Sequence, residues 1–373
     1  MKKETSCSIK TSIGGQALME GIMMRGPKRS AMAVRNPQGE IVIEEWDTQY
    51  STRSKFFRLP IIRGVFGFAD SMISGYKCLM RSAEISGLEE IEAEEKRAKE
   101  EKKLAKLAKK QGKTVEELRA EMESESAKVA EQETAAEGEP VSEGAESTDV
   151  AEQEKKEKKS PTMILIMILS VFFAVVLMVG LFILLPTFIY EDLLERYISG
   201  FPKDNGYLQS VIEGIVRVML LVGYMALMAL MKDIRRTFQY HGAEHKTIFC
   251  YEAGLELTVE NVRKQKRFHP RCGTSFLILM VLVSILVGFL IPPSLPKLLR
   301  MGIKILLVPI VMGIGYELIK LCGKHDNWLT RVIAAPGKAF QRITVFEPDD
   351  EMIECAIAAV TRVIPDDGSD RIQ

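Results

Sequence analysis

The sequence predicts a polytopic α-helical membrane protein with four transmembrane helices and a small cytoplasmic α+β N-terminal unit. Three observations lead there. The second half of the 373-residue chain holds four apolar runs of bilayer length, 163–185, 211–231, 274–291 and 301–321. Lys and Arg crowd one of the loops between those runs and are sparse in the other two. Ahead of the first run, 31–35 and 40–46 alternate like strands on either side of Asn36-Pro37-Gln38-Gly39, a favourable type I turn.

In chain order, residues 1–60 form a β-rich cytoplasmic unit in which Gly14-Gly15 read as a tight turn leading into a strand. Within it Gln16, Glu20 and Arg25 are polar groups in an apolar setting, open to lining a site or to satisfying nearby backbone. Residues 61–88 are an amphipathic helix: apolar positions recur from Ile62 to Ala83 with Arg63, Asp70, Lys77 and Arg81 on the other face. Either it lies at the membrane interface or it docks on the membrane helices. Residues 89–160 are a charged insertion, helical or disordered, too poor in apolar groups to offset its ordering entropy. Thr114 and Glu117 fit a capping box there, and unidentified protein partners are expected to bind through this segment.

Residues 161–325 are the four-helix membrane domain, with a His/Cys loop at 232–273. The loop after the second run carries Lys232, Arg235, Arg236, Lys246, Arg263, Lys264, Lys266, Arg267 and Arg271, against Arg196 and Lys203 after the first and Lys297 and Arg300 after the third. The His/Cys loop and both termini are therefore expected to be cytoplasmic, on a multi-pass protein of the inner membrane whose first partner is the lipid bilayer. The first apolar run lies far inside the chain and reads as an anchor, not a cleavable leader. Glu213 and Arg217, one helical turn apart, are expected to pair, as are Glu317 and Lys320. Residues 326–373 are a cytoplasmic tail: Ala335-Pro336-Gly337 marks a loop, 342–346 suggests a short strand, and Asp349-Asp350 open a final amphipathic helix.

Charge excludes one function class. Lys+Arg 50 against Asp+Glu 50 leaves no net field, so no nucleic-acid partner is expected. Six cysteines, at 7, 78, 250, 272, 322 and 355, show no C-x-x-C pair, which points to reduced thiols.

Three of the four histidines lie in one polar stretch, His241-Gly242-Ala243-Glu244-His245 and His269-Pro270-Arg271-Cys272. If the first part is helical, His241 and His245 share a face and can share one metal ion, with Glu244 beside them. H-x-x-E-H is also the order in inverted zinc peptidases, where the glutamate is the general base. His269 and Cys272 add a nitrogen and a thiolate, so the metal set is His241, His245, His269 and Cys272, the catalytic candidate is Glu244, and further candidates are Glu20, Glu317 and His325. The ion expected is zinc or another divalent transition metal. The alternative is that the histidines cap or pair within a polar loop and Cys272 is a buried thiol.

Together Gly14-Gly15-Gln16-Ala17-Leu18-Met19-Glu20-Gly21-Ile22-Met23-Met24-Arg25-Gly26-Pro27, His241-Gly242-Ala243-Glu244-His245-Lys246 and His269-Pro270-Arg271-Cys272-Gly273-Thr274-Ser275-Phe276 resemble the YqhQ-like family of uncharacterised bacterial integral membrane proteins. The resemblance spans nearly the whole chain except the charged insertion, and the family's label, metal-dependent enzyme, implies the same histidines. Two functions remain open: a zinc hydrolase with an open ligand position, acting on peptides or lipids at the inner surface, or a membrane scaffold or assembly factor with a closed four-ligand structural site. A chain with no metal is the third reading.

Overall fold

A computed structural model describes residues 9–48, 59–87, 161–198, 205–325 and 327–372. The charged insertion and its Thr114–Glu117 cap lie outside these. The chain separates into two units, residues 1–87 with 170–373 and residues 88–169; the sheet and the histidine-bearing helix belong to the first.

Four strands, β1 (Gly14–Leu18), β2 (Gly21–Arg25), β3 (Arg29–Arg35) and β4 (Ile41–Asp47), form an antiparallel meander in sequence order. Its register pairs Met23 with Met32 and Val34 with Val42. Period-2 alternation sends Ile22, Met24, Ala31 and Ala33 to one face and Leu18, Met23, Met32 and Val34 to the other. Both faces are covered, which is why these strands are apolar on both sides. The Gly14-Gly15 pair opens β1 rather than a turn; the chain reverses at Met19-Glu20, where Glu20 has φ 49°.

The helix α1 (Ile62–Ile85) has the expected period and docks rather than floating: Cys78 joins the second sheet face, and Phe68 meets Phe276 with ring centroids 5.5 Å apart. Arg63 grips Glu317, Nε to Oε1 at 2.6 Å, so Glu317 pairs across helices and not with Lys320.

The apolar helices begin with α2 (Pro161–Val179), which runs on through a π-helical stretch Gly180–Leu184, a short helical turn Leu185–Phe188, a second π-helical stretch Ile189–Leu194 and Glu195–Tyr197. Then come α3 (Gly206–Met228), capped by the Asn205 side chain on Leu208 N, and α4 (Lys232–Glu252) with the short α5 (Val259–Arg263). They are followed by α6 (Gly273–Gly288) and α7 (Lys297–Lys324). Among the described residues three helices are long and apolar enough to cross a membrane: Phe172–Tyr197, Gly206–Met228 and Lys297–Lys324. The third expected span is α6, apolar but 16 residues long, about 24 Å against the ~30 Å of a hydrocarbon core. Glu213 and Arg217 pair at 2.9 Å as expected.

The tail departs from expectation. Ala335-Pro336-Gly337 lies inside α8 (Trp328–Thr344), not in a loop, and 342–346 is the end of that helix and an extended strap, not a strand. An Asn327–Thr330 capping box starts α8, and its apolar side buries Phe340 against α3 and α6, enough to hold a helix through one proline. The strap runs along α4 with Phe346 N donating to Phe238 O at 2.9 Å. Finally α9 (Asp350–Thr361), capped by Asp349, lays Met352, Ile353, Ala356 and Val360 on the first sheet face together with Tyr240, Ala243 and Ile248 of α4. The element that carries the histidines is thus part of the core built on the sheet. Among the described residues every cysteine is free and buried.

Candidate metal centre

The stretch read as a loop at 232–273 is mostly helix, and α4 places His241 and His245 one turn apart with ring centroids 4.5 Å apart. Cys272, the residue just before α6, faces them: its Sγ lies 3.1 Å from His241 Nε2 and 3.1 Å from Thr274 Oγ1. One ligand atom from each of His241, His245 and Cys272 lies within 4.8 Å of the other two.

The far nitrogens decide what those rings can do. His241 Nδ1 lies 2.9 Å from Thr344 O and His245 Nδ1 lies 2.6 Å from Arg267 O. A carbonyl oxygen only accepts, so both Nδ1 atoms carry a proton and donate it. In a neutral ring that leaves the Nε2 lone pair free, as it is in metal-binding histidines whose other nitrogen is held by a carbonyl or carboxylate. Gly242 makes the His241 contact feasible: a Cβ there would collide with Phe346 O, so only glycine lets the strap come this close to α4.

Glu244 is buried in the same turn, with Oε1 accepting from Gly15 N at 3.1 Å. Here too a bare Cα is needed, because a Cβ on Gly15 would stand 2.9 Å from Glu244 Cδ. Burial pushes the Glu244 carboxyl up, against the pull of His241 and His245. Burial would also push the Cys272 thiol up, but His241 and His245 outweigh it and hold the thiol well below its ordinary value. His241 is the counterpart: burial alone would lower it, yet Cys272 raises it to about 9. A thiol held down by two imidazoles, together with those imidazoles, is a donor set that suits a soft or borderline divalent cation such as zinc.

The remaining candidates sit elsewhere. His269 is buried next door, its ring centroid 5.6 Å from that of His245, but its nitrogens face other groups: Nδ1 accepts from Arg271 N at 3.3 Å and Nε2 lies 3.6 Å from Glu252 Oε2. Burial pushes its imidazole down. Glu20 is engaged by Arg236, Nε to Oε1 at 2.5 Å, and by Tyr240. Glu317 is held by Arg63, and His325 is an exposed residue just after α7.

Sequence reasoning missed Gly15, Arg267 O, Thr344 O, Gln341 and Glu252. Gln341 is fully buried and clamps the His269 backbone, accepting from its N at 2.9 Å and donating to its O at 2.7 Å. Glu252 takes Thr11 N at 2.9 Å and the Arg271 guanidinium. Only Glu252 left a trace in the sequence, since it lies seven residues after His245 on the same face of α4.

Fold and site define a mostly helical protein with membrane-length helices, a small sheet and a buried His, His, Cys cluster beside a carboxyl. The chain belongs to the family described as a protein of unknown function, DUF1385, which matches residues 59–366. It is similar to the "Uncharacterized protein YqhQ" of Bacillus subtilis (strain 168), 29% identical over 353 residues, 94% of this chain and 92% of that one. The resemblance read from the three motifs is borne out by both matches. No solved structure matches.

Proposed function

We propose that the chain is a zinc-dependent membrane hydrolase whose ion is held by His241, His245 and Cys272 at the cytoplasmic face, with peptides or lipids as substrates. One observation carries it: both imidazoles have Nδ1 tied to a backbone carbonyl while His241 Nε2 meets Cys272 Sγ at 3.1 Å. Three donors with a carboxyl alongside match a catalytic zinc site, which keeps a position open. When bound, such an ion supplies Lewis acidity, which acidifies a water and polarises a carbonyl or phosphoryl oxygen. Glu244 is the proton carrier: Gly15 N fixes one carboxyl oxygen, and burial keeps the group closer to neutral than an exposed glutamate. The Lys and Arg around α4 support the cytoplasmic placement, with α6 as a fourth crossing element.

A closed structural site is the second reading, favoured by burial, since His245 and Cys272 are 2% and 3% exposed. Elemental analysis of the detergent-solubilised protein tests the metal itself: about one zinc per chain is expected, as for a single mononuclear site. Full retention in the His241→Ala, His245→Ala double variant would end both metal readings. Cobalt substitution then separates them. An open site changes its visible spectrum when azide is added, and a closed site does not.

A further inference from the structure

A second polar cluster lies at the other end of the membrane helices, and none of its residues takes part in the metal centre. Glu213 on α3 accepts from Thr187 Oγ1 at 2.9 Å, Gln209 Nε2 at 3.0 Å, Arg217 at 2.9 Å and Lys304 Nζ at 2.5 Å. Glu191, in the second π-helical stretch, accepts from Gln209 Nε2 at 3.0 Å and Arg300 at 2.6 Å. Arg300 also donates to Gln209 Oε1 at 2.7 Å, and Arg217 donates to Phe182 O at 2.9 Å. Asp192 and Lys297 pair at the rim.

Two features of this cluster do not balance. Among the described residues Arg217, Arg300 and Lys304, with Lys297 at the rim, face Glu191, Glu213 and Asp192, four cations against three carboxylates, and Arg217, Arg300, Lys304, Glu191 and Glu213 are each no more than 14% exposed. An uncompensated charge in such a place is costly. Arg300 Nε, moreover, is buried and has no acceptor among the described residues. Both defects are repaired by one added anion at Arg300.

Depth indicates which anion. The 28-residue α7 is about 42 Å long, against a hydrocarbon core of ~30 Å, so about 6 Å at each end stands in the headgroup layer. Arg300 is the fourth residue of α7 and falls in that layer, whereas Lys304 lies a turn deeper. Alongside, the π-helical stretch Ile189–Leu194 widens the backbone where Glu191 turns inward. We propose that Arg300, backed by Lys304 and Gln209, binds a phosphate oxyanion, the headgroup phosphate of an anionic lipid. The inference rests on these helices crossing a bilayer and not on the metal; a protein extracted without detergent would remove that premise independently of any phosphate result.

The test titrates the full-length protein in detergent with dioleoylphosphatidylglycerol, dioleoylglycerol and inorganic phosphate, read by native mass spectrometry for the lipids and thermal unfolding for the ion. Phosphatidylglycerol is expected to bind at least about tenfold more tightly than dioleoylglycerol, the size of one charge-assisted hydrogen bond. Arg300→Lys keeps the charge but not the forked donors, and is expected to lose about that factor, while Arg196→Gln, an exposed cation at the same end, keeps full binding. Inorganic phosphate stabilising as well as the lipid would assign the same site to the free ion; no effect of the ion leaves the headgroup. Equal binding of the two lipids with no effect of phosphate overturns the proposal, and so does wild-type affinity in Arg300→Lys or an equal loss in Arg196→Gln. Should Arg300→Lys fail to elute as a monodisperse species, the wild-type lipid comparison decides alone.

Discussion

Replacing Gly242 by alanine tests the link between the strap 344–348 and the metal centre. The added methyl overlaps Phe346 O, which belongs to backbone already bonded to Phe238 O, so the strap must move away from α4 by something over ~1 Å to restore normal contact. Thr344 is two residues upstream, and its carbonyl holds His241 at 2.9 Å; the same displacement takes that bond beyond hydrogen-bonding range. Two stability terms oppose each other. Overpacking costs roughly 1–3 kcal/mol, and alanine in a helix returns about 1 kcal/mol relative to glycine. A net loss of up to about 2 kcal/mol is expected. Zinc affinity is expected to fall about 10- to 100-fold, as when an outer partner of a metal-bound histidine is lost. Competition against a chromophoric chelator measures the affinity and thermal unfolding the stability. Gly273→Ala is the control, next to Cys272 in sequence but with open space around its Cα; it should leave both unchanged or gain slightly in stability. Unchanged zinc binding in Gly242→Ala would refute the role given to the Thr344 carbonyl.

Glu244→Gln should retain zinc while losing hydrolytic turnover, because the carboxyl is assigned to proton transfer and not to the donor set; loss of the metal would move Glu244 into that set. Gln341→Ala strands the His269 N–H and C=O, both buried, and should cost about 2–4 kcal/mol in denaturant unfolding; a change under about 0.5 kcal/mol would mean that the neighbouring backbone closes over the gap. Tyr251 is pushed up to about 12 by burial, with its hydroxyl donating to Asp370 at 3.0 Å. Its folded value lies above the unfolded one, so its stabilisation is complete below the ordinary tyrosine range and is lost as pH rises through about 12. Tyr251→Phe should therefore flatten the alkaline side of the stability profile, and an unaltered alkaline slope would show that Tyr251 is not its source.

Where local periodicity dominates, the sequence was legible. Strands β3 and β4, helix α1, the last helix with its Asp349 cap and the Glu213–Arg217 pair all follow from spacing within one element. The same logic brought His241, Glu244 and His245 to one helix face. What spacing could not reach is which backbone groups hold those rings, because Thr344 lies about a hundred residues downstream of His241 and arrives only when α8 packs on α6. His269 shows the limit from the other side. Its three-residue distance from Cys272 fits a ligand pair, yet the turn at Pro270 gives its ring to Arg271 and Glu252. Pro336 misled for a related reason, since a breaker in isolation is tolerated once a capped helix buries its apolar side.

The burial pattern itself argues for a ligand at the centre. Glu244, His245 and Cys272 occupy positions on the inner side of α4 and the start of α6 that apolar residues would fill with less cost, since neighbouring Ala243 and Ile248 complete a well-packed core. Glu244, His245 and His241 each have a partner from a different part of the chain: Gly15 from the sheet, Arg267 from the loop after α5 and Thr344 from the strap, in that order. Such an arrangement orients the groups without consuming the atoms that meet in the middle, where His241 Nε2 and Cys272 Sγ have chiefly one another. Any buried imidazole gains from these bonds, since its Nδ1–H would otherwise be stranded. A pair that must accept an ion gains further, because rings held in place lose less freedom when the ion arrives. Loosening the outer bonds should therefore weaken metal binding more than it weakens the fold.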